Sequence, residues 1–189
     1  MTDTAITRAD WRTQQAEQML AALIPARYAD AVADHPTVEG WAETVSTGDE
    51  HRSLLLVGDI GTGKTHQAYG ALRLAAMLAA ERGEVITPAA ITHADLNDEV
   101  RPGGEGLNRF LAADVLLLDD LGATHVTAWN ADAAYRLIDH RWAHQLPTIL
   151  TSNLAAADIT AVLGPRLTSR LVGMCKRVAL TGADRRQQP

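Results

Sequence analysis

Leu54–Gly70 reads LLLVGDIGTGKTHQAYG. An apolar run enters a glycine-rich loop, which closes on Lys64-Thr65 and continues into Ala- and Leu-rich sequence. The run from Ser53 has the look of a strand buried on both faces, and residues 64–82 that of a helix ending near Gly83. Between them, Gly58-Asp59-Ile60-Gly61-Thr62-Gly63-Lys64-Thr65 satisfies G-x-x-x-x-G-K-[ST] in full. Such glycines let successive backbone N–H groups curl around a phosphate chain. Lys64 then reaches the outer phosphates, and the Thr65 hydroxyl becomes a Mg²⁺ ligand. The chain holds only two lysines, Lys64 and Lys176, against fifteen arginines, so a lysine kept in this loop implies a need for a point charge on a slim stem. The stretch predicts binding of ATP or GTP.

Outward from the loop, strand and helix patterns alternate. EVITPAA (84–90) is the second expected strand, ADVLLLDDLG (113–122) the third, PTILTSN (147–153) the fourth and KRVAL (176–180) the last. Helices are expected over 93–100, 106–112, 128–145 and 165–172. The helix 128–145 places Ala134, Leu137, Ile138 and Trp142 on one face. This alternation means a parallel sheet covered by helices. Ahead of it, residues 8–24 are a helix with Trp11, Met19, Leu20 and Leu23 on one face, stopped by Pro25; residues 26–50 are irregular with a short helix. The expected organisation is a lead-in over 1–50, a core over 51–182 and a flexible tail over 183–189.

The third strand ends in Asp119-Asp120, fifty-five residues after Lys64. An acid there holds Mg²⁺ through water (Asp119), and the next is placed to polarise an attacking water (Asp120). Asn153 closes the fourth strand, where an amide can stand between the γ-phosphate and the water; by itself it reads equally as a turn residue or helix cap. Thr151 and Ser152 have similarly ordinary readings. Arg166 and Arg170, at i and i+4, are either solvated arginines or an arginine finger offered to a neighbouring subunit's nucleotide.

Composition narrows the class. Of 189 residues 47% are apolar and 4% aromatic, so the core is built from Leu, Val, Ile and Ala. A single cysteine, Cys175, excludes an internal disulfide and is expected as a buried small residue in a strand. No segment is long enough to span a membrane and the N-terminus lacks a signal-peptide pattern, which predicts a soluble, cytoplasmic protein. The net charge of −6 argues against an obligate nucleic-acid coat protein. The charge is uneven: residues 1–50 carry nine acids against three arginines, and residues 163–189 carry six cations against one acid.

Taken together, these parts resemble the AAA+ ATPases of the DnaC/DnaI/IstB group. The likeness runs over about residues 22–186 through LIPARYADA, GTGKTHQA, ITHADL, LLLDDLG, YRLIDHRW, TSN and RLTSRL. It implies a three-layer α/β P-loop fold around a five-stranded parallel sheet, with ATP and Mg²⁺ as ligands. It adds His66 to the nucleotide site, makes Asn153 the sensor-1 residue and Arg170 the arginine finger, and sets Gly58 and Ile24–Tyr28 near the adenine. The group's members are slow, assembly-stimulated helper ATPases. The implied function is loading of a replicative helicase onto single-stranded DNA, with self-assembly into a ring or spiral; the alternative is an IstB-like transposition helper partnered by a transposase. Arg136, Arg141 and the basic tail are candidate DNA contacts, with Trp129 as a stacking platform. A small-molecule P-loop kinase is a remote alternative, because the acid pair and Asn153 suit water activation better than an alcohol acceptor.

The chain departs from the group in three respects. Thirty-six residues follow Asn153, too few for a full helical lid, which leaves Arg185 or Arg186 as the only substitutes for a sensor-2 arginine. The lead-in has room for one docking helix where a loader carries a partner-binding domain. Asp120 stands where many relatives carry Glu.

Overall fold

The computed structural model describes residues 8–48, 53–100, 106–122 and 128–182, without the side chains of Arg8, Asn97, 128–131 and 156–157. The elements are α1 (Arg8–Leu23), a 3-10 turn (Ala26–Tyr28), α2 (Pro36–Thr47), β1 (Ser53–Val57), α3 (Lys64–Glu81), β2 (Pro88–Thr92), α4 (Leu96–Val100), α5 (Asn108–Ala112), β3 (Val115–Asp119), α6 (Ala128–Ala143), β4 (Thr148–Ser152), α7 (Ala156–Met174) and β5 (Cys175–Ala179). The five strands form one sheet in the order β2-β3-β4-β1-β5, and every neighbouring pair is parallel.

Strand alternation sorts the apolar residues into two cores. Leu54, Leu56, Val115, Leu117, Ile149 and Val178 face α1, α2 and α3. Leu55, Val57, Leu116, Leu118 and Leu150 face the layer of α4 to α7. Strands apolar on both sides require helices on both sides, which gives the three layers. The sheet order inserts β4 between β1 and β3, so the ends of β1, β3 and β4 lie side by side at the carboxyl edge, where open α/β sheets bind ligands.

Several expectations need correction. The second strand is not 84–90 but Pro88–Thr92. Pro88 has no N–H to give, which the first residue of a strand at the sheet's edge tolerates. The helix expected over 165–172 is the second half of a longer element, with a break at Gly164 (φ 81°, ψ 160°) followed by Pro165. Trp11, expected on the apolar face of α1, is 56% exposed; that helix buries Leu20, as expected, together with Ala16. Trp142, expected on the inner face of α6, is 41% exposed, whereas Ala134, Leu137 and Ile138 are fully buried. Cys175 opens β5 half-buried, and burial pushes its thiol up to about 12, which keeps it protonated.

Arg141 is the largest correction. It is 0% exposed and so is no DNA contact. Its Nε donates to Thr148 Oγ1 at 2.8 Å, one Nη to the carbonyls of Phe110 and Ala113 at 2.9 Å each, and the other to the Pro147 carbonyl at 2.8 Å. It ties α5, α6 and the start of β4 together at the edge of the sheet remote from the loop. Burial brings its pKa down to about 10, so it remains a cation at neutral pH.

Candidate active site

The loop after β1 takes its shape from its glycines. Gly61 (φ 87°) and Gly63 (φ 91°) adopt the left-handed backbone that a side chain would strain, and Gly63 is the N-cap of α3. Lys64 Nζ lies inside the curl, donating to the carbonyls of Gly58 and Asp59 at 2.8 Å each. Asp59 O also accepts from Thr62 Oγ1 at 2.9 Å.

Strand periodicity then decides what lies under the loop. Asp119 shares the parity of Val115 and Leu117, and Thr151 that of Ile149, so both point to the α3 face. Thr65 stands on the first turn of α3. The three meet: Asp119 Oδ1 accepts from Thr65 Oγ1 at 3.1 Å and from Thr151 Oγ1 at 2.5 Å. Burial holds the Asp119 carboxyl above its usual range, with the Thr151 hydrogen bond pulling the other way and the Asp120 charge adding to the rise. Thr65 and Asp119 offer oxygen donors only, at hydrogen-bond distance from each other, a set that fits a small hard cation such as Mg²⁺.

A cleft of about 610 Å³ opens above them. It is lined by Ile60, Gly61, Gly63, Lys64, Thr65, His66, Asp120 and Asn153, and on its far side by Arg27, Tyr28 and Asp30. Asp120 and Asn153 are exposed to it, and Asp120 has a positive φ of 55°. Gly58, Asp59 and Thr62 do not line this cleft. Thr62 faces a second cavity, of about 370 Å³, with Asp34, His35, Gln67 and Leu180.

The wall formed by the lead-in is seated on α3 by specific contacts. His66 Nε2 accepts from the Val32 N–H at 3.3 Å, and Gln67 Oε1 from the His35 N–H at 3.1 Å, while Gln67 Nε2 donates to Asp34. Arg73 donates to the carbonyls of Ala31 and Ala29 at 3.1 and 2.5 Å. Tyr28 stacks on Tyr69 with ring centroids 5.1 Å apart. The approach is close: a Cβ on Gly70 would lie 2.1 Å from the Val32 carbonyl carbon. Of the stretch expected near the base, Arg27 and Tyr28 line the cleft and Ile24 is in the core.

Arg170 stands apart from the cleft. Its Nε donates to Asp139 Oδ1 at 2.8 Å and its guanidinium lies 4.2 Å from the centroid of the Trp142 ring, both on α6. Arg136 and Arg166 are exposed. The Trp129 side chain, Arg185 and Arg186 lie outside the described residues. Sequence reasoning missed Asp30, which lies beyond the stretch expected near the base, and passed over Thr151. The signal for Thr151 was a hydroxyl on a fully buried strand, which it shares with Thr148 and Ser152. Among the described residues no helix is long and apolar enough to cross a membrane.

Comparison with known proteins agrees with this geometry. The profile of the family described as IstB-like ATP binding protein matches residues 18–189. A protein of Mycobacterium tuberculosis, described as an ATP-binding protein in an insertion sequence, is 30% identical over 148 residues, 73% of this chain and 57% of its own length. The replicative helicase loader DnaI of Bacillus subtilis is 26% identical over 148 residues, 71% of this chain and 48% of its own. Among solved structures, that of the DnaC helicase loader matches with a TM-score of 0.69 at 25% identity, over 83% of this chain and 100% of that one. The chain thus spans about half the length of the curated relatives it matches. The fold is that of AAA+ P-loop proteins.

Proposed function

The chain belongs to the family of IstB-like ATP-binding proteins, and from that premise we propose that it is a helper ATPase that uses ATP to set the state of a partner machine on DNA. The observation that carries this reading is the meeting of Thr65, Asp119 and Thr151 beneath a glycine loop whose cleft also exposes Asp120 and Asn153.

In this reading the N–H groups of Ile60, Gly61, Gly63, Lys64 and Thr65 and the Lys64 ammonium hold the triphosphate, with His66 beside them. Thr65 and Asp119 hold Mg²⁺, which when bound neutralises charge on the outer phosphates. Asp120 polarises the attacking water, and Asn153 keeps it in line with the γ-phosphate. Arg170 serves the nucleotide of a neighbouring copy within a ring or spiral, so turnover is slow until copies assemble. Arg136, Arg166, Lys176 and Arg177 are exposed cations that suit the phosphates of single-stranded DNA.

For the machine served, we infer loading of a replicative helicase onto single-stranded DNA, a reading supported by the likeness to the DnaI and DnaC loaders. A second reading, a transposition helper partnered by a transposase, is supported by the family match and the insertion-sequence relative. Affinity capture from native cells, with the protein locked by a non-hydrolysable ATP analogue, separates the two. Retention of the hexameric replicative helicase is the expected result. A transposase in its place moves the function to the second reading, and retention of neither overturns both.

A further inference from the structure

Asp119 and Asp120 are adjacent in sequence and are given different tasks, which requires something to hold them apart. β3 alone does not do so. Strand alternation sends Asp119 to the α3 face and would send Asp120 to the opposite one, beneath α6 and α7, away from the cleft. Asp120 lines the cleft because its backbone turns into the left-handed region, at φ 55°, a conformation uncommon for a residue with a Cβ, though less so for Asp than for most, and one that its surroundings support here.

The side chain that holds it is Thr151. The Thr151 hydroxyl accepts from the Asp120 N–H at 2.9 Å and donates to Asp119 Oδ1 at 2.5 Å, while the Thr151 carbonyl accepts from the Leu121 N–H at 2.8 Å. One residue of β4 therefore grips three consecutive residues of the turn. Its single hydroxyl hydrogen is spent on Asp119, and a lone pair receives the Asp120 amide. Thr151 is 0% exposed, in a strand whose neighbours Ile149 and Leu150 are also fully buried. A hydroxyl there is costly unless both of its bonding directions are used, and both are used on the acid pair.

We propose that Thr151 is the positioning residue of the site. It fixes the left-handed backbone at Asp120, aiming that carboxylate at the cleft, and in the same contact fixes the Asp119 oxygen beside Thr65. The proposal rests on the reading of Asp120 as the group that acts on water.

Thr151→Val removes the hydroxyl at nearly constant shape, and Thr151→Ser restores it. Amide hydrogen exchange of the nucleotide-free protein reads the hold directly. Exchange at Asp120 should quicken by at least about tenfold in the Val variant and stay close to wild type in the Ser variant. At saturating ATP the Val variant should turn over about 10- to 100-fold more slowly, with affinity for an ATP analogue within about threefold; the Ser variant should recover most of the rate. If the Val variant does not fold, Thr151→Cys, similar in size and a poor hydrogen-bond partner, carries the same comparison. Wild-type exchange and turnover in the hydroxyl-free variant would overturn the proposal. Asp120→Asn run alongside separates the two levels: unchanged turnover there removes the reading of Asp120, whereas unchanged exchange in Thr151→Val removes the hold.

Discussion

Asp120 reaches its cleft with one methylene fewer than a glutamate would bring, a shortfall of about 1.5 Å, one C–C bond. The left-handed turn brings its side chain to the cleft, and the length deficit remains. Asp120→Glu should therefore raise the ATP turnover rate, by about fivefold, in a steady-state phosphate-release assay. A rate that is unchanged or lower would mean that the turn already supplies the reach. Lys64 gives the second prediction at this scale. It is the one cation inside the loop, and its hydrogen bonds to phosphate are charge-assisted, so Lys64→Ala should weaken ATP binding by about 10- to 100-fold in calorimetry. At this scale the sequence was most legible where residue type and spacing are dictated by chemistry: the glycine loop, Lys64, Thr65 and the acid pair. It was least legible where a residue's role depends on what faces it. Arg141 looks like any helix arginine until β4 and α5 close over it. Thr151 looks like any strand threonine until the turn after β3 comes within reach of its hydroxyl.

The elements were placed well wherever a long periodic pattern met a strong stop. β1, α3, β3 and β4 were of this kind, because an apolar strand run and an Ala-rich helix each have one reading. The errors fell where local signals conflict. Val85 and Ile86 promised a strand, yet pairing with β3 begins only at Pro88, opposite Val115. Pro165 was read as the start of a helix, whereas helix lies on both sides of the break at Gly164. Two contacts between elements yield predictions. Arg141→Ala would leave Thr148 and the carbonyls of Phe110, Ala113 and Pro147 without their donor and open a cavity, a loss of about 3–5 kcal/mol seen as a lower denaturation midpoint. Any DNA affinity measured on the folded variant should be unchanged. Gly70→Ala places a Cβ 2.1 Å from the Val32 backbone and forces the lead-in off α3. It should destabilise the protein by about 1–3 kcal/mol in the same assay, and it should weaken nucleotide binding because Arg27 and Tyr28 move with that segment.

On the scale of the whole molecule, one residue of the proposed reaction lies away from the cleft. Loop, carboxylates and Asn153 converge on one cleft, but Arg170 is held on α7 by Asp139 and Trp142, away from that cleft. Val172, two residues further along α7, is 77% exposed. This arrangement was only partly legible in sequence: the i, i+4 spacing of Arg166 and Arg170 marked the pair, but nothing marked Asp139 or Trp142 as neighbours of Arg170. In the proposed reaction ATP held in one copy is turned over when another supplies Arg170, and mixing two inactive variants checks this. Lys64→Ala keeps the finger and, with ATP held well below its weakened affinity, leaves its own site empty; Arg170→Ala keeps the nucleotide and loses the finger. With ATP, Mg²⁺ and single-stranded DNA, each alone should be inactive at every concentration, and wild-type turnover per copy should rise with protein concentration. An equal mixture of the two variants should regain a substantial part of the wild-type rate. A wild-type rate per copy that does not depend on concentration, together with a mixture as inactive as its components, would contradict the account.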